Sequence, residues 1–474
     1  MKTISKLLIF SILIVLMSAS CTKRDENFVP DDLQINDFVW KGMNQYYLYQ
    51  NDVQNLRDDR FANQNDLNNF LKNYVDPSTL FSNLKVDATT DKYSTIFSDY
   101  SVLQGLLSGN TKNNGVVYGL KFKTGSTTDL FGWIKYIIPN SDAAAKNLSR
   151  GQIFYAINGI SLTVDNYKAL LANDLYTMNF ANFAAGAITP NGQSVGLVKS
   201  TLAENPVAIS NTFTIGAKKI GYLMYNAFYS NYESQLNTAI TQLQTQNITH
   251  LIVDLRYNSG GSIATATRLA SMITGQFTEQ LFARQQWNAK MQSYWLQNNP
   301  NQITNNFVST YNGGLDLTNL NLSKIYFITS KSTASASEMV INGLKPYIQV
   351  VQIGDVTTGK NVGSASLYDS ANFSGFNVNP NHRYAMQPIV LKISNSAGFG
   401  DYQNGLAPDV SQVENIGNLG VLGTATEPLL QTALNYVAVN GRIAQQQPSI
   451  IFEQFKDSKD LIPFQTDMYL EINR

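Results

Sequence analysis

Two segments near the middle of the chain hold residue types that can do chemistry together. They are Asp254-Leu255-Arg256-Tyr257-Asn258-Ser259-Gly260-Gly261 and Ser332-Thr333-Ala334-Ser335-Ala336-Ser337-Glu338, the latter followed by Thr358-Gly359-Lys360. Serine at its ordinary pKa is a weak nucleophile and needs a base. Lysine serves as that base when burial penalises the ammonium form and draws the pKa toward neutrality. The chemistry implied is acyl transfer. A histidine-based triad fits poorly, because only His250 and His382 exist. His250 stands at the mouth of an apolar strand, and His382 sits in the turn-like Asn379-Pro380-Asn381-His382-Arg383. There is no His-x-x-x-His pair and Cys21 is the only cysteine, so neither a metal nor another cofactor is implied.

The elements that must position these residues read as alternating strand and helix over residues 212–439. Strands are expected at 219–225, 251–255, 325–328 and 350–354, and helices at 233–246, 263–273 and 338–344. Such alternation argues for an α/β core whose sheet is covered on both faces. Ligands in open α/β sheets gather beyond the C-terminal strand ends, where both segments begin. Ser335 would then lie at a helix N-terminus, where the backbone favours negative charge. The amides of Ala336 and Gly261 are the candidate oxyanion donors, glycine because it permits close backbone approach. Lys360, flanked by glycines, is the candidate base. A bland alternative stands beside this: Ser335-x-x-Glu338 also reads as a helix capping box, and Lys360 as a solvated loop lysine.

Upstream, residues 31–100 read as helical. Phe38, Val39, Trp40, Met43, Tyr46 and Tyr47 form an apolar stripe expected to be core, and a second stretch, 67–74, stops at Asp76-Pro77. Alternating strands follow at 116–123 and 133–138, then a short helix at 142–148 and a strand, turn and strand across 151–160. Residues 138–160 resemble a PDZ domain. The small-residue helix and the Ile157-Asn158-Gly159 turn occur in that family's order, with Arg150-Gly151-Gln152 where Gly-Asp is usual. By that resemblance Tyr118, Gly119 and Leu120 lie at the peptide-binding loop, whose backbone receives a peptide C-terminus. The other reading is a structural hairpin that binds nothing. The polar, aromatic tail from Gln445 matches no pattern.

Of the 474 residues, 43% are apolar and 14% charged, a globular composition whose length suggests about three modules. Basic and acidic residues balance at 34 each, and no Lys/Arg run could track a phosphate backbone, so nucleic acid is excluded as a partner. The N-terminus combines basic residues, an apolar run over 7–17 and Ser18-Ala19-Ser20-Cys21. This is a secretory signal, too short for a comfortable membrane span. It resembles a bacterial lipobox, which implies acylation of Cys21 and a lipid-anchored protein of the cell envelope, at the outer membrane. Residues 22–27 read as a charged tether and resemble the surface-export signals of Bacteroidetes lipoproteins.

Taken in order, the Asp254–Gly261 motif, the Ser332–Glu338 motif and Thr358-Gly359-Lys360 resemble the C-terminal processing, or tail-specific, peptidases, a likeness that runs over residues 220–410. Ser335 and Lys360 lie 25 residues apart (360 minus 335), similar to that family's nucleophile-to-base separation. Gly405-Leu406-Ala407-Pro408-Asp409-Val410 resembles its G-I-x-P-D-V segment. The resemblance implies a serine endopeptidase acting on polypeptides, with Ser335 as nucleophile, Lys360 as base, and Gly261 with Ala336 as oxyanion donors. It also implies a multidomain α/β protein: signal peptide 1–20, lipidated tether 21–30, helical cap 31–104, PDZ-like β/α domain 105–205, a ClpP/crotonase-like peptidase core 210–445, and a tail 446–474. One departure is Ser364, which stands where many members place a lysine-orienting glutamine; it is the candidate third catalytic residue. A binding-only lipoprotein on the same fold is the alternative that this departure favours.

Overall fold

The computed structural model describes residues 28–311, 313–439, 441, 452–462 and 467–470. The leader, Cys21 and the tether up to Asn27 lie outside the described residues. Among the described residues, no helix is long and apolar enough to cross a membrane. The chain divides into two compact units: one of residues up to Asn44 with Tyr49–Asp87, the other of Gln45–Leu48 with Ala88 onward.

The first unit is helical. Helix α1 (Gln34–Tyr46) turns Phe38, Val39 and Met43 inward, so the apolar stripe is core. Helix α2 (Gln64–Leu71) is capped by Asn63, whose side chain accepts from the Asp66 amide. Asn36 ties α1 to the end of α2 by donating to the Tyr74 carbonyl at 2.8 Å. Asp76-Pro77, expected to stop a helix, instead starts α3 (Pro77–Asn83). The Asp76 carboxylate accepts from the Ser78 and Thr79 amides while Pro77 occupies the first turn, where its missing N–H costs nothing.

In the second unit, five of the seven strands of an antiparallel sheet follow chain order: β1 (Val116–Phe122), β2 (Leu130–Ile137), β3 (Ile153–Ile157), then helix α4 (Tyr167–Ala172), β4 (Leu175–Ala184) and β5 (Ala187–Val198). Asn158-Gly159 turns the chain after β3 with both residues at positive φ (53° and 78°), the geometry of a tight hairpin. The expected helix at 142–148 is one short turn, Asp142–Ala145, N-capped by Ser141.

The next strands are β6 (Val207–Ile215), β7 (Lys218–Tyr225) and, after helix α5 (Glu233–Thr245), β8 (His250–Asp254). The two-residue β9 (Gly261–Ser262) precedes helix α6 (Ile263–Thr274), β10 (Leu281–Trp287) and β11 (Thr304–Asn306). Then come β12 (Lys324–Thr329), helix α7 (Ala336–Leu344), β13 (Gln349–Gly354), β14 (Val362–Ala365), β15 (Ile389–Asn395), β16 (Val410–Ser411) and helix α8 (Pro428–Val439). The central sheet has the order β6-β7-β8-β12-β13-β16, parallel from β7 onward. Leu429, Leu430, Ala433 and Leu434 of α8 cover one face, against Tyr326, Ile328 and Ile353. This mixed α/β sheet matches the alternation read from the sequence.

Beneath the end of β8 lies a fully buried guanidinium. Arg256 donates from Nε to Asp254 at 2.9 Å and from its two terminal nitrogens to Glu427 at 2.6 and 2.9 Å, with Glu414 at 3.4 Å. Glu427 also accepts from the Leu430 amide, so one cation joins the strand end to the start of α8. Removing one partner from a buried ion cluster strands uncompensated charge. Arg256→Ala is therefore expected to lower the unfolding free energy by about 3–5 kcal/mol, read from denaturant titration of the purified protein.

Candidate active site

The loops leaving β8 and β12 are stitched together. Thr333 Oγ1 donates to the Leu255 carbonyl at 2.8 Å, and the Asn258 carbonyl accepts from the Ala334 amide and the Ser337 hydroxyl. Ser330 Oγ donates to the Arg256 carbonyl. The contact is too close for a side chain on the glycine turn: a Cβ on Gly260, whose φ is +118°, would stand 2.7 Å from Ser335 Cβ and 3.2 Å from the Ala336 nitrogen. The two segments singled out by residue type thus face each other across one seam.

Ser335 is fully buried at the start of α7 with φ of 64° and ψ of −118°, a left-handed conformation that costs a non-glycine residue about 1–3 kcal/mol. Its Oγ has no hydrogen-bond partner among the described residues. Ser335 and Glu338 have the arrangement of a capping box, but only its return half is a hydrogen bond, the Ser335 amide donating to Glu338 Oε2 at 2.8 Å. A serine serving merely as a cap would direct its hydroxyl to the helix amides. Here the hydroxyl is left over.

Glu338 is also the anchor of the loop carrying Lys360. Its Oε2 accepts from the Lys360 amide at 2.8 Å, and its Oε1 from the Gly359 amide at 2.6 Å and the Thr357 hydroxyl at 2.5 Å. The Ser335 and Lys360 backbones therefore meet on one carboxylate oxygen, within two hydrogen-bond lengths of each other. Burial raises the Glu338 pKa, against these donors. The Lys360 side chain is buried, not solvated, and burial pushes its amine well below the ordinary lysine value, although the nearby carboxylates Asp91 and Glu338 pull the other way. Its Nζ lies 3.9 Å from the centre of the Tyr93 ring.

The Gly260 carbonyl and the Ser262 amide pair with Phe228, so in this parallel register the N–H and C=O of Gly261 face the opposite side. Ala336, as the first residue of α7, has an amide with no helical carbonyl behind it. Ser364 is buried on β14 and donates to the Met468 carbonyl at 3.2 Å. Tyr118, Gly119 and Leu120 lie within strand β1, not in a loop, and β1 is paired along its outer edge by the chain's own C-terminal segment. Arg150, which follows Ser149 ahead of β3, donates to Tyr257 Oη at 2.5 Å and to Glu414 at 2.7 Å, joining the antiparallel sheet to the site loop.

Sequence reading missed Asp91, Tyr93 and the role of Glu338. Glu338 was visible as part of Ser-x-x-Glu, a pattern that points to a local cap and carries no hint of its long-range bonds to residues 357–360. Asp91 and Tyr93 lie in a stretch read as helical and carry no motif.

A serine with a spare hydroxyl and a buried lysine, gathered at the strand exits of a mixed α/β sheet, define the class of site. The model of peptidase family S41 matches residues 219–386, and that of the S41 N-terminal domain matches residues 34–98. The chain is 24% identical over 258 residues to the carboxyl-terminal-processing protease of Picosynechococcus sp., covering 54% of each protein. It is 22% identical to the chloroplastic C-terminal processing peptidase of Tetradesmus obliquus, covering 69% of this chain and 66% of that protein. The chain thus spans between half and two thirds of the length of these curated relatives. Among solved structures, a candidate S41 protease from Bacteroides fragilis superposes with a TM-score of 0.64 at 25% identity, covering 88% of this chain and 99% of that one. Residues 34–98 and 219–386 thus carry the two domains of peptidase family S41.

Gly260→Ala is expected to cost about 1–3 kcal/mol through its left-handed backbone, more where the new methyl displaces Ser335. Denaturant midpoints of the two proteins measure it.

Proposed function

We propose that the chain is a serine endopeptidase of the C-terminal processing type, cutting polypeptides by acyl transfer. Ser335 Oγ attacks the scissile carbonyl while its proton passes to neutral Lys360 Nζ. The Gly261 and Ala336 amides receive the oxyanion. The tetrahedral intermediate collapses with cleavage of the C–N bond, the amine leaving with the proton from Lys360, and water then releases the acyl group by the same route. Glu338 is a positioning residue, holding both backbones through their amides. The observation that carries this reading is a buried Ser335 with an unpartnered hydroxyl, its backbone amide held on the same carboxylate oxygen as that of a lysine whose burial favours the neutral amine.

The proposal extends to the rest of the chain. The sheet β1–β5 with its Asn158-Gly159 hairpin supports a PDZ-like module that grips polypeptide along β1. The parallel strands β7, β8, β12 and β13 support a ClpP/crotonase-like core. Cys21, after a basic and apolar leader, supports an envelope lipoprotein anchored at the outer membrane. Ser364, in place of the family's glutamine, favours a second reading, a peptide-binding protein that does not cut.

Two measurements separate these readings. An unfolded model protein is expected to be fragmented by the wild type, and by neither Ser335→Ala nor Lys360→Arg, since guanidinium cannot act as a base. Persistent cutting by both variants, with fragments followed by mass spectrometry, overturns the assignment. Because the neutral amine is the active form, kcat/KM is expected to rise with pH through the lowered Lys360 value and level off well below the ~10.4 of ordinary lysine; a limb centred at that ordinary value removes Lys360 as the base.

A further inference from the structure

The C-terminal segment of the chain follows the site step by step. Strand β17 (Gln454–Asp457) adds antiparallel to the outer edge of β1, with Lys456 opposite Leu120 and Asp457 opposite Gly119. The Tyr118 amide donates to Ser458 Oγ at 3.2 Å. Phe455 sits edge-on to Phe122 of β1 and to Tyr167 of α4, ring centres 5.2 and 5.1 Å away. An apolar side chain between a strand edge and a helix, with backbone bonds along the strand, is how peptides bind by strand addition.

The segment then approaches the catalytic loops. Asp457 meets the buried amine of Lys135 at 2.5 Å and accepts from the Ser332 hydroxyl, three residues before Ser335. Lys459 donates to the Tyr257 and Asn226 carbonyls at 3.0 and 2.9 Å. A cavity of about 490 Å³ lies between, with Ser259, Ala334 and Thr358 on the catalytic side and Asp457, Asp460 and Asp467 on the tail side.

Beyond it, strand β18 (Met468–Leu470) lies between β9 and β14, parallel to both, with Met468 opposite Gly261 and Gly363. In that register the Gly261 N–H, which faces away from Phe228, addresses the carbonyl of Asp467. The Gly261 amide is one of the two donors that the proposed mechanism assigns to the scissile carbonyl, and in this register a carbonyl of the chain itself takes it. The Asp467 carboxylate, buried, forms an ion pair with Lys360. Among the described residues, Asp91, Glu338 and Asp467 face Lys360, each an acidic residue that in its ionised form favours the ammonium.

We propose that the C-terminal segment is the resident ligand of a two-part peptide-binding track, one part the β1 edge and the other the slot between β9 and β14, and that a polypeptide enters the site by displacing it. The inference rests on the peptidase reading for its consequence, but not for the docking itself. With β18 in place, extended backbone fills the slot and the Asp467 carboxylate stands against Lys360 Nζ, the atom that must take the proton from Ser335. The partner that fits the same track is an extended polypeptide with an apolar side chain for the Phe122–Tyr167 pocket. Carboxylates placed like Asp457 and Asp467 strengthen its hold on Lys135 and Lys360.

The test uses the full chain carrying Asp457→Ala with Asp467→Ala, its folding checked by thermal melting, and a synthetic peptide of residues 452–470. On an unfolded model protein, kcat/KM of the double variant is expected to exceed wild type by about tenfold or more as the paired charges holding the segment are lost, and the peptide to return it toward wild type competitively. Equal or lower activity in a folded variant, with cutting still dependent on Ser335, overturns the inference and leaves the peptidase reading standing. If neither protein cuts, the peptidase reading fails and the docking is still decided by hydrogen exchange in the Ser335→Ala background. Protection of the 118–121 and 363–365 amides that drops in the double variant and returns with peptide upholds the track; unchanged protection overturns it.

Discussion

The site depends on one carboxylate kept from water. Glu338 accepts from the Ser335, Gly359 and Lys360 amides and from the Thr357 hydroxyl, donors drawn from two loops that Thr358 also ties together through the Thr333 and Lys331 carbonyls. An ionised carboxylate offers about four lone-pair positions and no donor, so it can gather four donors without leaving one unmet. Because the acceptor lies in the first turn of α7, the force that draws the Lys360 loop inward also fixes the backbone angle of Ser335. A left-handed serine persists only where its surroundings over-determine it, and here the helix start, the stitched loops and Glu338 all do so.

The second constraint is the buried Arg256 cluster. Asp254, Glu414 and Glu427 neutralise one guanidinium beneath the glycine turn, and Arg150 reaches the same Glu414 from the antiparallel sheet. Removal from water raises the Glu414 pKa, but the charges of Arg150 and Arg256 beside it hold it down to about 2. The β1–β5 sheet and the glycine turn are therefore linked through a shared acidic partner, by the side chain of Arg150.

Much of this was legible in the sequence for a physical reason. The parallel strands are buried on both faces and read as apolar runs, and Ser335, Lys360, Gly261 and Ala336 announce themselves by type and neighbours at strand exits. Asp76-Pro77 misled because the same dipeptide that ends one helix is also a good N-cap and first turn for another. Asp91 and Tyr93 were invisible because their place beside Lys360 comes from tertiary folding alone. The C-terminal strands were unreadable for a related reason: β18 is a short strand stabilised by edges more than a hundred residues away, and nothing within it shows a period.

The slot that holds β18 has a fixed width. Strands neighbour one another at about 4.7–4.9 Å, so β9 and β14 stand about two such spacings apart with room for a single extended backbone between them. A helix with its side chains is about 10–12 Å across and satisfies its own backbone bonds, so it neither fits the gap nor answers the amides that line it. Under the proposed displacement of β18 the slot would act as a gauge of conformation, admitting a polypeptide only where it is already locally unfolded over several residues, at a free end, a loose loop or a denatured stretch, and passing over a compact domain whatever its sequence.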